Sequence, residues 1–157
     1  MLIALLIFAA TSADALQPFR QLAGHWSGIS EWSGARTGGG PMTATYYETG
    51  NGSAVVENLE SDGVPMMTTV YHMDGPDLRA THYCAAKNQP RLKASKMASD
   101  TIDFDYVDAT NLASPDAPHV AGLQMRFIDA THIVITFRFH SAKGDAFERI
   151  TLKRKQM

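Results

Sequence analysis

Almost no connection between strand-like runs in this sequence is long enough to carry the chain across a sheet. Gly50-Asn51-Gly52 sits between two alternating runs, and Asn-Gly is the favoured centre of a type I′ turn. Asp74-Gly75-Pro76-Asp77 marks a second bend, Ser99-Asp100 a third, Asp129-Ala130-Thr131 a fourth and Lys143-Gly144 a fifth. Hairpins in succession make antiparallel neighbours, and about ten short strands at this spacing suggest a sandwich or a barrel. A Greek-key sandwich needs long crossing connections. The pattern therefore predicts an all-β fold, an antiparallel up-and-down β-barrel of about ten strands, which also removes exposed sheet edges. Phe19 and Leu22, between Pro18 and Gly24, predict one or two helical turns in front of it.

The turns also set registers. With Asn51-Gly52 central, Tyr46 faces Glu57 and Ala44 faces Leu59, so Glu57 stands on an otherwise apolar face with Tyr46, Val55 and Leu59. A three-residue loop at Asp129–Thr131 pairs Phe127 with Ile133, Met125 with Ile135 and Leu123 with Phe137; a two-residue loop would mix apolar and polar faces. Gly34–Pro41, with four glycines and a proline, is expected to be irregular.

The chain has 157 residues with 45% hydrophobic and 19% charged side chains, which fits one domain. A net charge of −2 provides no basic field for a phosphate backbone, so nucleic acid is not an expected partner. Leu2–Ala10 is an apolar run followed by Ala13-Asp14-Ala15, a small-x-small pattern. This predicts a signal peptide over residues 1–15, a mature domain over 16–157, and a periplasmic or secreted location. No lysine or arginine precedes the run. It is too short to span a bilayer, so no stable membrane span is expected after cleavage. The single cysteine, Cys84, cannot form an internal disulfide and reads as a small buried hydrophobe.

The helix followed by Gly24-x-Trp26 resembles the entry of the lipocalin and calycin barrels. That resemblance implies a basic residue from the last strand lying over the tryptophan, with Arg149 and Lys153 as candidates. Several motifs resemble a family of uncharacterised bacterial calycin-like domains: Gly52-Ser53-Ala54-Val55-Val56-Glu57, Tyr71-His72-x-Asp74-Gly75, Thr81-His82-Tyr83-Cys84, Asn88-Gln89-Pro90-Arg91, Phe104-Asp105, Thr110-Asn111-Leu112 and His119. One position departs from the pattern, since Ala121 stands where a second histidine is expected. The resemblance implies a barrel with an internal site and supplies no activity.

The densest chemistry lies in Met66–Pro90, with His72, His82 and Cys84. Glu57, His72, His82 and His119 could together supply acid–base groups or metal ligands. Asn88 and Gln89 could orient a ligand at a rim. A two-residue turn at Gly75-Pro76 would pair His72 with Arg79 and His82 with Thr69 and set the two histidines on opposite faces; a loop one residue longer or shorter would unite them. The sequence leaves this register open. It contains no His-x-His, and neither a metal nor another cofactor is expected. Gly-x-Ser-x-Gly is also absent.

The leading expectation is a barrel that binds a small, largely apolar molecule inside, with Glu57, His72, His82, Asn88, Gln89 and His119 as polar contacts. A small enzyme using histidine and glutamate, a haem-binding barrel and a surface-acting interaction protein are the alternatives.

Overall fold

The structure is a computed structural model that describes residues 14–156. The expected signal peptide therefore lies, but for its last two residues, outside the described residues.

Helix α1 (Gln17–Arg20) precedes ten strands: β1 (Gly24–Gly34), β2 (Gly38–Thr49), β3 (Ala54–Ser61), β4 (Val64–Asp74), β5 (Asp77–Tyr83), β6 (Gln89–Met97), β7 (Thr101–Thr110), β8 (His119–Asp129), β9 (His132–His140) and β10 (Ala146–Arg154). Each strand pairs antiparallel with its sequence neighbour, and β1 pairs with β10 to close an up-and-down barrel. Short connections leave each strand no partner but its neighbour, and closure gives the two terminal strands each other.

The turn registers follow the residues. Ala44 pairs with Leu59 and Tyr46 with Glu57, across a turn in which both Asn51 and Gly52 have positive φ, as a type I′ turn requires. Phe127, Met125 and Leu123 pair with Ile133, Ile135 and Phe137. The bend after Asp74 is a two-residue turn: His72 pairs with Arg79 and Thr69 with His82.

Inward positions alternate along every strand and meet in one core that includes Trp26, Tyr46, Tyr71, Leu92, Phe104, Phe137 and Ile150. Helix α1 covers one end. Its Phe19 is fully buried, stacks on Tyr71 at 4.0 Å and meets the edges of Phe104 and Phe127. Arg20 donates to the Gly52 carbonyl in the β2–β3 turn, fixing the helix to that end. Among the described residues, the opposite end, ringed by the β1–β2, β3–β4, β5–β6, β7–β8 and β9–β10 connections, has no such plug.

Two expectations are corrected. The glycine-rich stretch is not irregular from Gly34 to Pro41, because Gly38–Pro41 forms the start of β2 and pairs with β1. Glycine is needed there for close approach: a Cβ on Gly39 would stand 2.0 Å from the Ser30 carbonyl oxygen. The basic residue over Trp26 is Arg154, at 4.3 Å, rather than Arg149 or Lys153. The reason is parity. Arg149 and Lys153 alternate with the buried Glu148, Ile150 and Leu152 and point outward, whereas Arg154 falls directly opposite Trp26.

Candidate functional site

Two carboxyl groups occupy inward positions among apolar neighbours, Glu57 on β3 and Glu148 on β10. Each is almost wholly removed from water, with 0% and 3% exposure. A buried carboxylate is costly unless hydrogen-bonded, so its partners show what each site can do.

Glu57 lies in the sealed middle of the barrel. Tyr46 donates its hydroxyl to Glu57 Oε2 at 2.7 Å, and Tyr71 donates to the same oxygen at 3.0 Å. Burial pushes the Glu57 carboxyl above its ordinary range, while the hydrogen bonds from Tyr46, Tyr71 and Thr69 pull it back. Burial, and the proximity of Glu57, push both tyrosines well up, so they stay protonated donors. The Thr69 hydroxyl shares a 2.9 Å hydrogen bond with His82 Nδ1. His82 packs on Phe137, with centroids 4.8 Å apart, and burial alone pushes its imidazole down to about 3, so it is neutral. Thr69 thus links the carboxyl to the imidazole. Acid–base work on a substrate requires access, and both groups are wholly buried, so this cluster reads as an interior polar network.

The second carboxyl lies at the unplugged end. A cavity of about 410 Å³ opens there, within the range of small-molecule sites. Its walls are mainly apolar: Trp32 from β1, Gly40, Pro41 and Met42 from β2, Met66 and Met67 from β4, Ala85 and Ala86 after β5, Pro118 before β8, and Phe139 from β9. Ser30 and Glu148 supply its buried polar part. Ser30 donates its hydroxyl to Glu148 Oε1 at 2.6 Å, while Oε2 has no hydrogen-bond partner among the described residues. Burial pushes the Glu148 carboxyl up, and the Ser30 hydrogen bond and the charge of Arg36 oppose that. Arg36 is exposed at the rim, with its guanidinium 3.8 Å above the Trp32 ring.

The residues expected from the sequence to form a site are dispersed. His82 faces the interior, whereas His72 lies on the other side of the wall, half-buried, and lines an outer groove with Arg79, Arg91 and Asp108. Asn88 is buried, but its side-chain amide donates to the Pro118 carbonyl at 2.9 Å and its backbone carbonyl accepts from the Cys84 N–H, so it ties two loops of the open end together. Gln89 belongs to β6, where Thr110 donates to its side chain at 2.8 Å. His119 is held by the Ala117 carbonyl at 2.7 Å and packs between Tyr106 and His140. None of these six lines the open-end cavity. Among the described residues, no three histidine, cysteine, aspartate or glutamate side chains form a group able to hold a metal. The cavity residues Ser30, Trp32, Arg36 and Glu148 were not anticipated. Glu148 carried the same signal as Glu57, a carboxyl in phase with Ala146, Ile150 and Leu152 on an apolar strand face.

No family model and no curated protein matches this chain. Solved structures do. The crystal structure of Rv2717c from M. tuberculosis superposes with a TM-score of 0.62 at 16% identity, over 92% of this chain and 99% of that one. A protein of unknown function from the DUF3598 family of Nostoc punctiforme PCC 73102 superposes with a TM-score of 0.58 at 12% identity, over 87% of this chain and 49% of that one. This chain thus spans about half the length of the Nostoc protein. At these identities the likeness establishes a shared barrel fold.

Proposed function

We propose that this chain is an exported, calycin-like barrel that binds a small, largely apolar molecule in its open-end cavity. The observation that carries the reading is the cavity itself: about 410 Å³ walled by Trp32, Met42, Met66, Met67 and Phe139, with one buried carboxyl. Apolar walls supply affinity and a single polar group sets orientation. The short helix, Gly24 and the Arg154–Trp26 stack support the calycin-like reading; the Leu2–Ala10 run and Ala13-Asp14-Ala15 support export. The haem alternative requires an imidazole facing an apolar slot, and none of the described residues that line this cavity is a histidine.

Gly40 provides the test. It pairs with the inward-facing Ser30, lines the cavity, and a Cβ there meets nothing within 4 Å. Gly40→Leu should fill the space without straining the wall. A neutral naphthalene dye should bind the wild type saturably with a blue-shifted emission, and at least tenfold more weakly to Gly40→Leu at unchanged thermal stability. Equal binding to both proteins would place the dye elsewhere and refute the reading.

A further inference from the structure

The polar end of the ligand can be assigned from the groups in the wall. Resting on the cavity reading above, we propose that the cavity selects small amphiphilic amines, with the protonated nitrogen donating to Glu148 Oε2 and the apolar body lying along Met42, Met67 and Phe139.

Four observations carry this. Glu148 is buried and lines the cavity, and its Oε2 lacks a partner among the described residues, whereas Oε1 is already satisfied by Ser30 at 2.6 Å. A buried acceptor of this kind is completed by a donor, and an N⁺–H donor to a carboxylate makes the stronger, charge-assisted bond. Neither neighbour of Glu148 on the flanking strands donates to it: it pairs with Trp32 on β1 and Phe137 on β9, and Oε2 has no partner among the described residues. The remaining charge at the cavity is Arg36, which is solvated at the rim and lies over Trp32, so it is poorly placed to hold a ligand's carboxylate in the interior.

The groups that bear on Glu148 electrostatically are Arg36, from the β1–β2 turn, and the Cys84 thiol, after β5. Burial pushes the thiol up, so it stays neutral, and Glu148 is the acid that titrates in this cavity. The amine preference must therefore fade as pH falls and the carboxyl takes up a proton, while a neutral ligand of the same shape is unaffected.

Three ligands with one apolar body test the assignment by calorimetry: 2-naphthylmethylamine, 2-naphthylmethanol and 2-naphthoic acid. At pH 7.5 the amine should bind the wild type at least tenfold tighter than the alcohol, and the acid should bind weakest. In Glu148→Gln the amine and alcohol should agree within threefold. The wild type titrated toward acid provides the same comparison without a substitution, and its amine advantage should shrink. Equal binding of amine and alcohol, tightest binding of the acid, or an amine advantage that survives Glu148→Gln or acidification would overturn the assignment while leaving the cavity reading in place. Failure of all three to bind would remove both.

Discussion

Arg154 lays its guanidinium over the Trp26 indole, 4.3 Å from the ring centroid, at the seam where β10 closes on β1. The same guanidinium donates to the carbonyls of Gln21, Ala23 and Ala130, and Trp26 donates its indole N–H to the Leu22 carbonyl at 2.8 Å. One side chain therefore joins the helix exit, the first strand, the last strand and the β8–β9 turn. Gly24 gives it room, since a Cβ there would stand 3.3 Å from the guanidinium.

Removing this clamp should loosen barrel closure. Arg154→Ala should lower stability by about 1–3 kcal/mol, from the lost cation–π contact and carbonyl hydrogen bonds. Arg154→Lys should recover less than half, because an ammonium cannot stack and reach three carbonyls together. Arg149→Ala, on the outer face, should stay within about 0.5 kcal/mol of wild type. Urea unfolding checks all three; equal losses at residues 149 and 154 would contradict the clamp.

The hydroxyls on Glu57 should behave as a coupled pair. Tyr46→Phe and Tyr71→Phe each remove one donor from a buried carboxyl and should cost about 1–3 kcal/mol. The double variant should differ from the sum by at least about 0.5 kcal/mol, since both donors serve one oxygen. Strict additivity in a double-mutant cycle would show that the two bonds act independently.

Stability should depend on pH through His82. Its imidazole is held near 3 in the fold against 6.5 ordinarily, so between those values the unfolded chain binds the extra proton. Its contribution is complete above pH 6.5 and is lost as pH falls toward 3, with a slope of at most about 1.4 kcal/mol per pH unit. Glu57 and Glu148 act in the opposite sense. Their carboxyls are raised in the fold, so each costs stability as pH rises above about 4.5 toward its folded value. Replacing His82 by Gln isolates the first effect: measured from pH 7.5 to 4, the wild type should lose stability relative to His82→Gln. Parallel profiles would mean that His82 does not titrate as its burial implies.

Export has its own readout. Cleavage after Ala15 would leave Leu16 as the first residue, and Leu16 is already buried against the core. N-terminal sequencing of the protein from its native host should begin at Leu16. A chain that retains its first residues would contradict the export reading.

Fold and site were legible in the sequence to different degrees, for physical reasons. Strand pairing in an up-and-down barrel is local. The Asn51-Gly52 turn and the Phe127–Phe137 alternation suffice to place Tyr46 against Glu57 and Leu123 against Phe137. The register at Gly75-Pro76 was not decided locally, because the run carries polar residues on both faces; the two-residue turn sends His72 outward and His82 inward. The cavity was the least legible. It joins residues brought together by barrel closure, with Ser30 lying 118 positions from Glu148. Glycines 38–40 also looked like a break in structure, because the close approach of Gly39 to the Ser30 carbonyl is a tertiary requirement that composition does not reveal.

The methionines allow the central claim to be read directly. Met42, Met66 and Met67 line the open-end cavity, whereas Met125 is buried outside its lining. With methionine methyls labelled with carbon-13, titration of 2-naphthylmethanol followed by NMR should shift the Met42, Met66 and Met67 signals together along one saturable curve and leave Met125 in place. Signals that do not move, or shifts confined to methionines away from this cavity, would contradict ligand binding at the open end of the barrel.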